Sequence, residues 1–546
     1  MTKWEEYGLR PSDVSIVGHQ LVAICEEMAL ALVRAAYSSI VREGKDCSTA
    51  LLDRTGRVIA QAQRIPVQLA SLSAVAHSAI AAIGDELPGR DGFILTNDPY
   101  SGAQHLNDLI LLAPIYAPAP PEGDSALLAW TGSVIHLIDI GGAAAGTQTN
   151  AKDIVAEGLR IPPMALSKSD LESGWLRQIL EANVRVSDQV LGDIQAQRSA
   201  AALGVSRYLD LCRRYGGAVV EKISEMIMDY AERVTRDAIS ELPDGTYEAE
   251  DLVESDGLGG GPFPIRAALR IKDDELTIDL TGTAGQAQGP INCPLAATLS
   301  AAYSFVLGFV LGDTVFVNDG CYRSVEVVIP ERSLVNPSYP APVHARTNVA
   351  NRVYSTLKLA FASIDPDRSM AAGQDTPYQY TLSRLDDNGS YEMITGVMFG
   401  GWGGSVWGAG LDGVSSHLSN ATNLPVEYEE ATTTWYRLIE YSIRDGSEGG
   451  GRYRGGRGLR RVYEILAPGG TFSAYTDRIS VPPRGLFGGG DGAVGGFKII
   501  RRDEVIPLAP LVTEVPLVTG DVVVLESAGG GGWHAEEDLE EATTGA

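Results

Sequence analysis

Two His-x-x-Asp pairs lie within 35 residues of one another, His105–Asp108 and His136–Asp139, in a chain that has only seven histidines. Each pair sits beside a short apolar segment and a turn. Imidazole plus carboxylate suits a borderline or hard divalent metal such as Zn²⁺, Mn²⁺ or Fe²⁺. His105 and Asp108 are three apart, so both can reach one ion from a turn. Asp46 and His136 complete the candidate ligand set Asp46, His105, Asp108 and His136. Two imidazoles and two carboxylates around a divalent ion leave the site near neutral and leave positions open for water. Such a water would be acidified toward neutral pH and become a hydroxide nucleophile. Asp139 is placed to orient an imidazole from behind. Asp98, just before Pro99, is a further candidate catalytic carboxylate, with a turn role of its own. Weighed alone, each His-x-x-Asp reads as readily as a cap or a surface pair.

The elements that must position these groups can be read around them. Val17, Leu21, Ile24, Met28 and Leu32 recur at helical spacing and predict one long helix over 12–43, with Gly44 as its stop. A strand, the turn Arg54-Thr55-Gly56-Arg57 and a second strand over 58–61 follow Asp46, and a helix is expected over 67–83. Phe93–Leu95 reads as a short strand that Pro99 ends, so His105 and Asp108 are expected on a loop. Residues 109–117 and 126–138 read as buried strands, which sets His136 at a strand end. Residues 169–240 read as helical. Pro, Asp and Gly accumulate over 241–262, a candidate domain boundary. A hairpin over 265–280 and an apolar helix over 295–311 follow, and then Gly-dense stretches and short β runs. The expected fold is mixed α+β and multi-domain: an N-terminal α/β domain with the metal site over 1–245, then a Gly-rich, largely β part over 246–546.

Composition narrows the function. The chain has 546 residues, a formal net charge of −27, 62 glycines and 44% hydrophobic residues. So acidic a surface repels phosphate backbones and anionic membranes, which argues against nucleic acid and membrane partners. Five cysteines without a CxxC read as free thiols in a reducing compartment. The charged N-terminus Met1–Tyr7 lacks a signal-type apolar core, and a cytoplasmic protein is expected. There is no GxxxxGK[ST] and no GxSxG, so neither a Walker-type ATP loop nor a nucleophile elbow is present. The stretches 400–404 and 449–458 could cradle an anion with backbone N–H groups, or serve as turns and close packing. For Arg452, Arg454 and Arg457, internal salt bridges or a substrate anion fit this acidic chain better than nucleic acid. His344 and His417 could line a cleft, although nothing local demands it.

The order of short motifs is familiar. Asp46-Cys47-Ser48 comes first, then Asn97-Asp98-Pro99-Tyr100 with His105 and Asp108, and then His136 with Asp139-Ile140-Gly141-Gly142. Glu157-Gly158-Leu159-Arg160-Ile161-Pro162-Pro163 and Gly192-Asp193-Ile194-Gln195-Ala196-Gln197 follow. Asn336-Pro337 with Pro340-Ala341-Pro342-Val343, Pro425-Val426-Glu427, Arg454-Gly455-Gly456 and Gly529-Gly530-Gly531-Gly532 complete the series. In this order, along nearly its whole length, the chain resembles the hydantoinase B/oxoprolinase family. The resemblance implies the B-type catalytic subunit of an ATP-dependent cyclic amide hydrolase, with Asp46, His105, Asp108 and His136 as metal ligands. It also implies a hetero-oligomer with a hydantoinase A-type ATPase partner. The partner binds ATP and phosphorylates a small cyclic amide, which metal-bound hydroxide then opens. A ketone carboxylase component and a non-catalytic scaffold for the ATPase are the alternatives. The family commonly has a second histidine where Leu137 stands and a histidine where Gln68 stands. If either imidazole is a proton shuttle, this member has altered chemistry or substrate.

Overall fold

The computed structural model describes residues 10–62, 64–118, 126–312 and 316–536. Met1–Tyr7 and the acidic tail beyond Glu536 lie outside them. The N-terminal part is built on a six-stranded antiparallel sheet. Its strands are β1 (Cys47–Asp53), β2 (Val58–Gln61), β3 (Phe93–Thr96), β4 (Asp108–Tyr116), β5 (Leu127–His136) and β6 (Met164–Leu166), in the order β2-β1-β5-β4-β3-β6. Leu109–Leu112 of β4 form an unbroken apolar run because both faces of the strand are covered. Leu109 and Leu111 pack with Leu32, Ile135 and Ile194 on one side. Ile110 and Leu112 pack with Leu72, Val75 and Ala76 on the other. Alternate side chains of a strand point to opposite faces, so helices Pro11–Ala35 and Ser187–Tyr215 cover one face and Pro66–Ile83 the other. Helices Pro11–Ala35 and Pro66–Ile83 have the length and apolarity of membrane spans, and each buries apolar side chains against the sheet.

The first helix is not continuous over 12–43. It stops at Ala35 and resumes as Ser39–Arg42. Asp193 Oδ1 accepts the backbone N–H groups of Tyr37 and Ser38 at 2.7 and 3.0 Å, a competitor to the helical bonds. The helical stretch 169–240 is likewise four helices, Lys168–Glu172, Trp175–Asn183, Ser187–Tyr215 and Gly217–Ser240. Within 241–262, read as a boundary, lies the strand Gly245–Val253. It joins Phe263–Lys272, Glu275–Asp279 and Val325–Val328 in a four-stranded sheet. Helix Leu295–Phe305, extended by the π-turn Val306–Leu311, and helix Thr347–Phe361 pack into one core with this sheet. Arg352, on the second of these helices, reaches Asp251 at 3.1 Å and Asp477 at 2.6 Å, all three buried.

Beyond Tyr378, two antiparallel sheets of four and five strands are threaded by glycine segments. Their N–H groups go to neighbouring main chain: Gly401 to Ala528 O at 3.1 Å, Gly404 to Gly531 O at 2.8 Å, Gly456 to Trp402 O at 2.7 Å and Gly530 to Gly456 O at 2.8 Å. A Cβ at Gly401, Gly455 or Gly530 would fall on the carbonyl of Gly456, Gly530 or Trp402 respectively. These segments therefore act in close packing, with those N–H groups already spent. Arg454 and Arg457 both clasp Asp412 at 2.8 Å, the internal salt bridge expected of an acidic chain. Gly530→Ala is expected to cost about 3 kcal/mol or more, because backbone, not a flexible side chain, occupies the space. Gly496→Ala, whose Cβ meets nothing within 4 Å, should stay within about 1 kcal/mol of the parent. Urea unfolding of the two variants measures the contrast.

Candidate metal centre

Antiparallel pairing brings the site together. In the β4–β5 ladder, Asp108 is the direct partner of His136. On the other side of β5, Cys47 pairs with Ile135, and His136 N donates to Asp46 O at 3.1 Å. Asp46, His136 and Asp108 thus stand at the same end of three adjacent strands. His105 is added by the turn before β4, in which Asp108 N donates to His105 O at 3.0 Å. Two buried asparagines fix that loop. Asn97 Nδ2 donates to Leu106 O at 2.7 Å, and its Oδ1 accepts Ile161 N at 2.6 Å. Asn107 Nδ2 donates to Leu137 O at 2.9 Å.

His105, Asp108 and His136 are buried and form one cluster of potential ligand atoms. His105 Nε2 lies 3.1 Å from Asp108 Oδ1 and 3.2 Å from His136 Nδ1, and His136 Nδ1 lies 3.5 Å from Asp108 Oδ1. Bonds of about 2.0–2.2 Å in a tetrahedral shell set ligand atoms about 3.3 Å apart. Among the described residues Asp108 Oδ1 has no hydrogen bond, although two imidazole nitrogens face it. The spacing, the orphaned oxygen and the donor types all fit a divalent cation. Asp46 is at the rim: its Oδ2 is 4.0 Å from His136 Nδ1, and it falls outside the three-residue cluster. Gln68 donates to Asp46 Oδ1 at 2.6 Å and accepts from Ser48 at 3.0 Å. Leu137 is fully buried in the core.

Charge is arranged for a cation. Burial, reinforced by Arg346, pushes the His105 imidazole down to about 3, so it is neutral at pH 7. Burial alone would raise the Asp108 carboxyl, but the Arg346 guanidinium opposes it, and the carboxyl lies well below the usual carboxylate range. Arg346 Nη2 donates to Asp108 Oδ2 at 2.7 Å, which leaves Oδ1 for the cluster. For Asp46, burial and the neighbouring Asp108 raise the carboxyl.

The two carboxylates expected to act with the ligands serve as braces. Asp139 accepts from Arg185 N at 2.5 Å, Arg185 Nη1 at 3.1 Å and Gly141 N at 3.3 Å, so its oxygens are turned to this loop and not to an imidazole. Asp98 caps the turn Pro99–Ser101, accepting Tyr100 N at 3.1 Å, and lies 3.7 Å from Arg160. His417 is stacked between Trp402 and Tyr354, beside Asp375. His344 does join the site, its ring centroid 5.7 Å from that of His105. Sequence spacing missed Arg346 and Gln104, although the motif Pro340-Ala341-Pro342-Val343 ended just short of Arg346. Gln104 Oε1 accepts from Arg346 Nη2 at 3.4 Å. Glu157, from another motif, accepts the N–H groups of Val343 and His344 at 2.8 and 2.9 Å. Burial lifts its carboxyl well above the usual range despite those two bonds.

Comparisons with known proteins agree in extent. Residues 10–536 match the family model described as hydantoinase B/oxoprolinase. The chain is 31% identical over 541 residues to the B component of a putative D-/L-hydantoinase of Pseudomonas sp. (strain NS671), covering 96% of this chain and 90% of that relative. The crystal structure of ATP-dependent caprolactamase from Pseudomonas jessenii matches with a TM-score of 0.85 at 25% identity, over 98% of this chain and 94% of that one. Nucleotide-free acetone carboxylase shares the fold, with a TM-score of 0.87 at 15% identity, over 100% of this chain and 79% of that one.

Purified protein equilibrated with Zn²⁺ and then desalted is expected to retain about one equivalent of metal, and His105→Ala or His136→Ala to retain less than about a tenth of that. Elemental analysis by mass spectrometry reads both. The metal-free chain should lose stability on acidification. Unfolded histidine takes up its proton at about pH 6.5, whereas His105 in the folded chain does so only at about 3. This contribution is present above pH 6.5 and is lost as pH falls toward 3, because the unfolded chain binds the proton first. Urea unfolding of the chelated protein between pH 7 and 5 should show the decline, and chelated His105→Gln a shallower one.

Proposed function

The chain belongs to the hydantoinase B/oxoprolinase family, and we propose that it is the B-type catalytic subunit of an ATP-dependent cyclic amide hydrolase of the hydantoinase, oxoprolinase or lactamase kind. The observation that carries the reading is the buried His105–Asp108–His136 cluster, with spacings of 3.1, 3.2 and 3.5 Å that match one metal shell. When bound, a divalent cation, zinc first and manganese or iron next, supplies a Lewis acid that lowers the pKa of a water.

The chain's own residues prepare that chemistry. His105 is neutral and offers a lone pair. Asp108 is ionised and cannot swing away, because Arg346 holds its other oxygen. Asp46, tethered by Gln68 at the rim, is the fourth ligand in this reading. Burial of the cluster excludes bulk water, so an activated substrate is protected from unproductive hydrolysis. The lack of a Walker-type loop in the sequence supports ATP binding on an A-type partner, and so does the naming of the hydantoinase relative as one subunit of its enzyme. That partner phosphorylates the cyclic amide. Five free cysteines support a cytoplasmic location.

The test is co-purification with an A-type ATPase partner, followed by ADP release over a panel of hydantoins, 5-oxoproline, lactams and ketones. A cyclic amide is expected to drive ADP release and ring opening, with His105→Ala reducing ring opening by at least about a hundredfold. Undiminished turnover in His105→Ala would assign a scaffold role instead. A bicarbonate requirement with a ketone substrate would assign carboxylation.

A further inference from the structure

The segment before helix Thr347–Phe361 carries two buried side chains with unused nitrogens beside the cluster. His344 is 2% exposed, and among the described residues its Nε2 has no hydrogen-bond partner. Arg346 is 4% exposed. Its Nη2 is committed to Asp108, and among the described residues its Nε has no partner. The backbone between them is firmly held: Ala345 N donates to Pro290 O at 2.8 Å, and Glu157 grips the N–H of His344. Neither orphan can therefore be relieved by a small shift of the segment. A buried donor without a partner costs about 1–3 kcal/mol, and more when it is charged. The Arg346 Nε–H and His344, in the tautomer that carries its proton on Nε2, two residues apart at the start of a 15-residue helix, describe a place for an anion. Charge points the same way. Two carboxylates, one guanidinium and a divalent cation leave the pocket net positive inside a chain of net charge −27.

We propose that His344 Nε2 and Arg346 Nε, at the approach to helix Thr347–Phe361, form a phosphoryl-binding subsite next to the metal centre. It takes the terminal phosphoryl group of the small activated substrate, not a nucleotide. This rests on the reading above for the source of the phosphoryl group, but the subsite itself can be tested without the ATPase or the substrate.

Inorganic phosphate is titrated into the full chain by calorimetry, once with zinc and once after chelation, with acetyl phosphate and ADP as competitors. Phosphate is expected to bind with zinc and much more weakly after chelation, when two carboxylates face one guanidinium. Acetyl phosphate is expected to compete and ADP not to compete. His344→Ala should weaken phosphate binding about tenfold or more, the loss expected for one hydrogen bond to a charged group, while zinc content stays at the parent level. His344→Gln, which keeps an N–H at similar reach, should recover most of the loss, and Arg346→Gln should lose binding as His344→Ala does. Equal phosphate affinity in parent and His344→Ala overturns the proposal, as phosphate then binds elsewhere or on the metal alone. Competition by ADP as strong as that by acetyl phosphate overturns the assignment to a small substrate. Loss of the zinc effect with the His344 effect retained overturns the metal reading and leaves the subsite standing.

Discussion

Everything in the site depends on the register of β4 against β5. Asp108 and His136 are direct partners in that ladder, and β1 on the far side of β5 adds Asp46 through its carbonyl. In a strand the side-chain period is two, so a slip of one residue would send Asp108 to the opposite face. The register is guarded by burial on both sides. Moving Leu109 and Leu111 into the place of Ile110 and Leu112 would disturb two cores at once. Gln197 locks the same pair from above, donating from Nε2 to Leu109 O and Ser133 O, each at 3.0 Å. Asp193, one helical turn earlier, breaks the first helix where the chain must turn toward β1. The motif that contains both residues is a brace.

Helix Thr347–Phe361 couples this sheet to the rest of the molecule. Its N-terminal approach supplies His344 and Arg346. Its middle is tied by Arg352 to Asp251 and Asp477, and its last turn by Lys358 to Asp375 at 3.2 Å. Buried ion pairs contribute little net stability after desolvation, but removing one partner is costly. They thus fix where the helix lies. The candidate site consequently draws on both sides of residue 245: ligand-type side chains from one, the guanidinium that orients Asp108 from the other.

The glycine-dense region makes a different use of the absent side chain. Carbonyl oxygens of one segment occupy the volume a Cβ would need in the next, and the N–H groups pair in the same contacts. Main-chain packing this close satisfies backbone polar groups without a regular sheet. The same economy spends N–H groups such as those of Gly401, Gly404, Gly449 and Gly456 on neighbouring main chain.

Much was legible in local pattern. Apolar alternation and helical spacing marked β1 to β5 and the helices that flank them, because these signals arise from neighbours within a few residues. His105, Asp108 and His136 stood out because histidines are rare in this chain, and two share one spacing to aspartate. Asp98 and Asp139 carried the same residue-type signal, yet their oxygens went to Tyr100, Arg185 and Gly141. Which of several similar carboxylates faces an ion is decided by strand register and by competing donors, and neither is encoded next to the residue. The break at Ala35, made by a carboxylate more than 150 positions away, has the same origin. Arg346 and His344 lie over 200 residues from Asp108 and acquire meaning only when the helix they introduce docks against the sheet. Local sequence thus determined the elements and the stock of possible ligands. Tertiary packing decided which of them meet, because burial assigns each polar atom to the one partner within its reach.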